Sequence, residues 1–310
     1  MSNLINDCNL PNSIFSAMKN HGYTGNINSD YSVSMLGDDP RLVFGRKYLK
    51  SSADGRAEKA SDQLIMFLGT LIHKGLEVKL ADHPDFSVEK RLYTEVEVNG
   101  KKVVLTGEYD CLDIKEDSLD DYKTTVSGGW KKREDKLPKY FKQVNLYRYL
   151  MWKNGIRPPS KMRIIFIITD WRQWEAVNHG YPESMFMTVE VPKMSKEEVE
   201  QYIFDRISYP EQWKDKPIEE MPYCDEVNRW STKKIYKVFK LNKDGSIPKT
   251  IKAIAGGNCT SEEDANSLMQ SKGITTHSMK VYQGGSVRCR DYCELAKEGL
   301  CDYLTKYPEE

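Results

Sequence analysis

The sequence predicts an α/β (α+β) fold, a mixed β-sheet flanked by helices, followed by a cysteine-bearing C-terminal extension. Three observations predict it. Residues 88–106 hold two alternating apolar-polar runs joined by Asn99-Gly100, a dipeptide suited to a tight hairpin turn. Residues 161–169, KMRIIFIIT, make a near-continuous apolar run of the kind found in strands covered on both faces. Helical periodicity occupies residues 58–80, 140–152 and 195–207, before, between and after these runs.

Residues 1–35 are rich in Asn, Ser and Gly and offer one short amphipathic patch, Ile14 to Met18, as a peripheral helical lead-in. The helix over 58–80 spaces Leu64, Phe67, Leu68, Leu71, Ile72 and Leu76 as one stripe expected to be buried. Gly69, His73 and Glu77 fall four apart on another ridge of that helix. The glycine admits a close neighbour, and an imidazole one turn on could reach a metal held by it. A hydrogen-bonded place at the core edge would explain His73 equally.

The hairpin strands, 88–98 and 101–106, lead through Gly107 and Asp110 into a strand containing DYKT, residues 121–124. Glu89 opens the first strand and is expected at a solvated end. Alternate strand residues share a face, so Asp121 and Lys123 point one way and Tyr122 the other. With the Asp110 strand paired alongside, two carboxylates and an ammonium converge. Hard oxygen donors of that sort suit Mg²⁺ or Mn²⁺, and the lysine can position a water or offset phosphate charge. Asp and Lys two apart on a solvated strand also occur without any such role.

Beyond Thr124, a polar stretch gathers Trp130, Lys131, Lys132, Arg133 and Lys139. It reads either as a basic patch able to hold a phosphate backbone and stack a base, or as a solvated loop entering a helix. The helix over 140–152 sets Gln143 and Tyr147 on one face. A strand over 185–191 and a helix opened by the capping-box pattern at Ser195 complete a core with its helical lead-in, residues 1–216. From 217 to 310 the chain turns to short aromatic and lysine-rich segments and a cysteine cluster.

Lys+Arg and Asp+Glu both number 46, so no global field announces a nucleic-acid partner and any basic surface must be local. No apolar run is long enough to span a bilayer, and the first residues lack a basic and then apolar leader pattern. The expected location is the cytoplasm. Of seven cysteines, Cys289, Cys293 and Cys301 cluster, a pattern that in a reducing compartment points to metal ligation more than to disulfides.

Taken in order, GTLIHKGLE (Gly69, His73, Glu77), GEYD (Gly107, Asp110), DYKT (Asp121, Lys123) and QVNLY (Gln143, Tyr147) resemble the RecB-like branch of the PD-(D/E)XK nuclease superfamily across roughly residues 58–170. The tail, with Cys224 and CRDYCELAKEGLC (Cys289, Cys293, Cys301), looks like that of phage-type exonucleases. It is also similar to AddB-type and CRISPR-adaptation nucleases, in which four cysteines hold an iron-sulfur cluster. This chain departs from them in a wider spacing of the last three cysteines and in a distant cysteine, Cys224, that follows the core. Zinc, an iron-sulfur cluster and ordinary buried thiols all stay open.

The resemblance implies a restriction-endonuclease-like sheet and a metal-dependent DNA exonuclease of recombination, repair or processing, acting in the host cytoplasm if phage-encoded. His73, Asp110, Asp121 and the carbonyl of Tyr122 would bind Mg²⁺ or Mn²⁺, with Glu77 in support. Lys123 would orient the attacking water, and Gln143 and Tyr147 would hold the strand or the lysine. No Walker-type phosphate loop occurs in the chain to power a helicase, so the nuclease would stand alone, with recruitment of a helicase or recombinase partner left open. The alternatives are a catalytically silent nucleic-acid binding module on the same fold and a structure-specific endonuclease.

Overall fold

The computed structural model describes residues 3–19, 28–49, 57–272 and 277–308, in two compact units, Met1–Asp215 and Lys216–Glu310. In chain order the first unit has strand β1 (Asn3–Ile5), helix α1 (Asn12–Lys19), strand β2 (Tyr31–Ser32), helices α2 (Val33–Leu36) and α3 (Pro40–Tyr48), strand β3 (Ala57–Lys59) and the long helix α4 (Ala60–Leu80). There follow strands β4 (Phe86–Val98), β5 (Lys101–Asp113) and β6 (Ser118–Thr125), helices α5 (Ser127–Lys131) and α6 (Leu137–Lys153), strands β7 (Lys161–Ile168) and β8 (Phe186–Glu190), and helix α7 (Lys196–Glu211).

The sheet is mixed and flanked by helices, in the order β2-β5-β6-β7-β8 with β4 along the other edge of β5. Its spine is the β4–β5 hairpin. Asn99 and Gly100 take φ of +51° and +72°, the paired left-handed conformation that two-residue hairpin turns need. The register then runs unslipped from Val98↔Lys101 to Phe86↔Asp113. The second edge of β5 is shared. Parallel β2 takes its middle at Tyr31↔Leu105, and antiparallel β6 takes its end at Cys111↔Asp120. β6 and β7 run parallel, linked through α5 and α6 as a crossover, and β7 pairs antiparallel with β8.

Local chemistry sets the helix ends. Asp39 caps α3, accepting from the Arg41 N–H at 2.9 Å, with Pro40 in the first turn. Ser195 and Glu198 close a reciprocal capping box on α7. The core lies between the sheet and α6 and α7. Leu105, Leu119, Val144, Leu146, Leu150, Ile164, Ile168 and Ile207 are sealed there. β7 is less uniformly apolar than its sequence suggests. Arg163 leaves the core side to hold Asp120 through two nitrogens at 2.7 Å.

Two expectations need correction. The leucine stripe of α4 is not buried: only Ala60 and Phe67 are, while Leu68 and Leu71 are 42% and 50% exposed. The Gly69–His73 ridge meets the sheet instead, and a Cβ on Gly69 would lie 2.9 Å from Thr124 Oγ1. The lead-in is not wholly peripheral: residues 28–48 contribute β2, α2 and α3, with Tyr31, Val33, Leu36 and Val43 in the main core. Part of the polar lead-in, residues 20–27, lies outside the described residues.

In the second unit, α8 (Glu226–Arg229) is followed by strands β9 (Ser231–Thr232), β10 (Ile235–Lys240) and β11 (Ala253–Cys259), then α9 (Glu262–Ser271), β12 (His277–Tyr282) and β13 (Gly285–Ser286). After a π-helical turn at Arg288–Tyr292 come α10 (Glu294–Lys297) and α11 (Tyr303–Lys306). β11, β10 and β12 form an antiparallel sheet, and β13 pairs with β9. Among the described residues no helix is long and apolar enough to cross a membrane.

Gly107 marks where β5 meets the helices. A Cβ there would lie 2.7 Å from Val33 Cγ2 and 2.8 Å from Leu150 Cδ1. Overpacking of that kind costs about 1–3 kcal/mol, so Gly107→Ala is expected to lower the urea or thermal midpoint accordingly. An unchanged midpoint would show that the strand and α6 separate without cost.

Candidate active site

β5 and β6 deliver the central carboxylates. The unslipped hairpin sets Glu89 of β4 between the Val88–Cys111 and Lys90–Tyr109 pairs, directly opposite Asp110. Like charges facing each other across a ladder repel. Glu89 also takes φ of +46°, a left-handed conformation that is uncommon for a side chain of this size. Strained backbone and opposed carboxylates at one rung are costs that a bound cation would offset.

The neighbours of this rung come from β6, α4 and α6. Asp110 Oδ2 accepts the Tyr122 N–H at 2.6 Å, which ties β5 to β6. Asp121 and Lys123 share the face predicted for them, with Nζ 2.6 Å from Asp121 Oδ2. From α4, His73 Nδ1 lies 3.7 Å from both Glu89 Oε1 and Asp110 Oδ1. From α6, Gln143 Nε2 donates to the Tyr147 hydroxyl at 2.7 Å. Lys123 Nζ also sits 5.2 Å from the centre of the Tyr140 ring.

The electrostatics follow from three acids in a half-buried space. Burial first, then the Asp121 charge, pushes the Asp110 carboxyl up to about 7, against the opposing pull of Lys123 and His73. Burial disfavours the charged form of His73, but Glu89 and Asp110 outweigh it and raise its pKa. Lys123 is likewise disfavoured by burial and held above its ordinary value by Asp121 and Asp110. Without metal, therefore, protons carry the positive charge that the acids require.

The donor set fits a divalent cation. Ligand atoms of His73, Glu89 and Asp110 all lie within 4.8 Å of one another, and this is the one such trio among the described residues. Asp121 is 1% exposed, and its Oδ1 is buried with no hydrogen-bond partner, an acceptor left for a ligand. Carboxylates with one imidazole suit Mg²⁺, Mn²⁺ or a neighbouring first-row ion.

The structure therefore brings His73, Asp110, Asp121, Tyr122, Lys123, Gln143 and Tyr147 together. Glu77 is not in the ligand trio; it pairs with Lys74 at 2.5 Å, and that ammonium also feels the Glu89 charge. Trp130 is only 7% exposed, edge-on to Phe166 at 5.4 Å and covered by Arg133 at 4.1 Å, so its ring serves the core and not a base. Lys139 is held by Asp38 at 2.7 Å. Lys131 and Lys132 remain exposed.

Glu89, expected at a solvated strand end, is the residue the sequence reading missed. The signal was available. Counting back along both strands from Asn99-Gly100 sets Glu89 against Asp110.

The four cysteines of the tail lie on segments pinned to one another. Tyr223, beside Cys224, donates to Asp302, beside Cys301, at 2.7 Å. Trp230 packs on Tyr292, beside Cys293, at 5.3 Å, and Arg288, beside Cys289, donates to the Asn228 carbonyl. Cys289 and Cys293 are buried, and none of the seven cysteines is in a disulfide.

A family model described as the PD-(D/E)XK nuclease superfamily matches residues 47–226, more than half of the chain. The crystal structure of SSO0001 is 17% identical over 64% of this chain and 87% of that one, with a TM-score of 0.45. A phage related exonuclease from Haemophilus somnus 129PT is 16% identical over 50% of this chain and 71% of that one, with a TM-score of 0.30. No curated protein matches the chain.

Protons and metal compete for this site, which gives a signed expectation. The ordinary value for Asp110 is 3.8, so the metal-free fold should lose stability as pH rises from there to about 7, and Mn²⁺ binding should strengthen over the same range. In calorimetric titrations above that range, Glu89→Gln should weaken Mn²⁺ by roughly tenfold or more. Unchanged affinity would remove Glu89 from the site.

Proposed function

The chain belongs to the PD-(D/E)XK nuclease superfamily, and from that premise we propose that it is a divalent-metal-dependent DNA exonuclease of the RecB-like kind, hydrolysing phosphodiester bonds in recombination, repair or DNA processing. The observation that carries this reading is the meeting of His73, Asp110, Asp121 and Lys123, from one helix and two strands, around a trio of ligand atoms that includes Glu89.

His73, Glu89 and Asp110 would hold the cation, and the buried Asp121 carboxylate with the Tyr122 carbonyl would complete the set. When bound, Mg²⁺ or Mn²⁺ lowers the pKa of a water and neutralises phosphate charge. Lys123, anchored on Asp121, orients the attacking water and offsets the negative charge that develops on the phosphoryl oxygens. Tyr147, only 6% exposed and fixed by Gln143, lines the same space and limits where the strand can lie. The Tyr122 N–H holds Asp110 in place, so the strand pairing itself sets the ligand geometry.

We extend the reading to the tail, where Cys224, Cys289, Cys293 and Cys301 hold an iron-sulfur cluster or zinc. The pinning of their segments to one another and the burial of Cys289 and Cys293 support it, while among the described residues no three of the thiols lie within 4.8 Å of one another, so a tetrahedral zinc site would require them to draw together. Anaerobically purified protein is expected to carry stoichiometric iron with visible absorbance, or stoichiometric zinc without it. Protein with neither metal would leave ordinary buried thiols.

End-labelled linear DNA and closed circular DNA, each with Mn²⁺ and with EDTA, test the activity. Linear DNA should be degraded only with Mn²⁺ while circles survive. Cleavage of circles would make the enzyme an endonuclease, and no cleavage by folded protein would reject turnover. Asp121→Ala and Lys123→Ala should each lower the rate by roughly a hundredfold or more while the protein still folds, as circular dichroism would show. Wild-type activity in either variant rejects the site.

A further inference from the structure

We propose that the Lys237–Lys280 end of the β11–β10–β12 sheet, on the face turned away from α9, is a second nucleic-acid contact, which grips a phosphate backbone through these two lysines; the proposal rests on the DNA-hydrolysing reading of the carboxylate site. In this sheet α9 covers one face, where Val238, Cys259 and Ala265 are buried with Tyr236, Leu268 and Met279 packed on them. Lys237 lies between Tyr236 and Val238 in β10 and so projects from the other face. The register sets Lys280 of β12 directly opposite Lys237 on one side and Asn258 of β11 opposite it on the other. Tyr282, opposite Ile235, completes this end of the face, while Phe239, two residues on from Lys237 and 1% exposed, closes the other end.

Two ammoniums facing each other across a ladder destabilise the pair unless something neutralises them. Both lean over one ring, with Nζ 4.5 Å and 5.3 Å from the centre of Tyr282. Among the described residues neither is in an ion pair with a carboxylate. The nearby acids, Glu262, Glu263 and Asp264, stand in the first turn of α9, in the layer behind the sheet. One layer is thus acidic and the opposite face basic.

An occupant must bring negative charge at two neighbouring points. A phosphate backbone supplies it, and the exposed Tyr282 ring and Asn258 amide beside the lysines offer a base a stacking edge and a hydrogen bond. That combination of basic pair, aromatic and amide favours nucleic acid over an acidic polypeptide, which has no bases to stack.

The test uses full-length protein in EDTA, with a fluorescent single-stranded oligonucleotide and the matching duplex titrated over a range of salt. Against wild type, Lys237→Ala/Lys280→Ala should bind more weakly, with the slope of log affinity against log salt shallower by about 1.5. Lys237→Arg/Lys280→Arg should retain both affinity and slope, which a merely structural role for the lysines would not require. Equal affinity and slope in the alanine variant overturn the proposal. So does loss of polyglutamate binding with DNA binding unchanged, which would assign the face to an acidic protein. Mn²⁺-dependent cleavage by the wild type, run in parallel, keeps the two readings apart. Cleavage with no effect of the alanine pair sinks only this surface, whereas absence of both cleavage and DNA binding sinks both.

Discussion

The opposition of Glu89 and Asp110 across the β4–β5 ladder is the constraint to which the rest of the first unit answers. Two carboxylates on one rung, with Asp121 close by, make a local charge that water screens poorly in a half-buried space. The metal-free chain meets it with protons and with Lys123. A divalent ion would meet it better, delivering two charges to a point that His73, Glu89 and Asp110 already surround. Stability is traded here for a site that is poor at being empty.

The fold holds that arrangement through backbone more than through side chains. β5 shares one edge between β2 and β6, so the strand that carries Asp110 is gripped on both sides at its middle and its end. The N–H of Tyr122 clamps Asp110 directly, so a slip of β6 would move Asp121 and release Asp110 in one step. Gly69 and Gly107 bring α4 and α6 onto the sheet closely enough for His73 and Tyr147 to reach the same space. These close approaches explain why the glycines of GTLIH and GEYD belong to the site although neither carries a functional group.

What the sequence made legible was whatever depends on alternation and turn chemistry. The hairpin at Asn99-Gly100, the shared face of Asp121 and Lys123 and the pairing of Gln143 with Tyr147 follow from strand and helix periods alone. What depends on tertiary contact was not legible. Apolar spacing on α4 could not tell that the helix would turn its glycine ridge to the sheet and leave Leu68 and Leu71 outside. Trp130 and Lys139 read in sequence as basic-aromatic surface, but Phe166 and Asp38 engage them in the fold. β2 and α2 are too short for any period to declare, yet they enter the core. Glu89 needed only a register count, and its charged, strand-opening character masked it.

Equal totals of acid and base are no obstacle to a polyanionic substrate, because distance decides what a charge does. At physiological salt exposed charges further apart than about 8 Å scarcely influence each other. The acids sunk between β4, β5 and β6 are met at close range by the Lys123 ammonium and the His73 imidazole, so little of their charge reaches out to the surface. The second unit separates its charges by layer, with acids in the first turn of α9 and lysines on the far face of the sheet. A phosphate backbone therefore meets local positive charge wherever this chain offers it an exposed lysine face, and the neutral sum over all residues never acts at any one place.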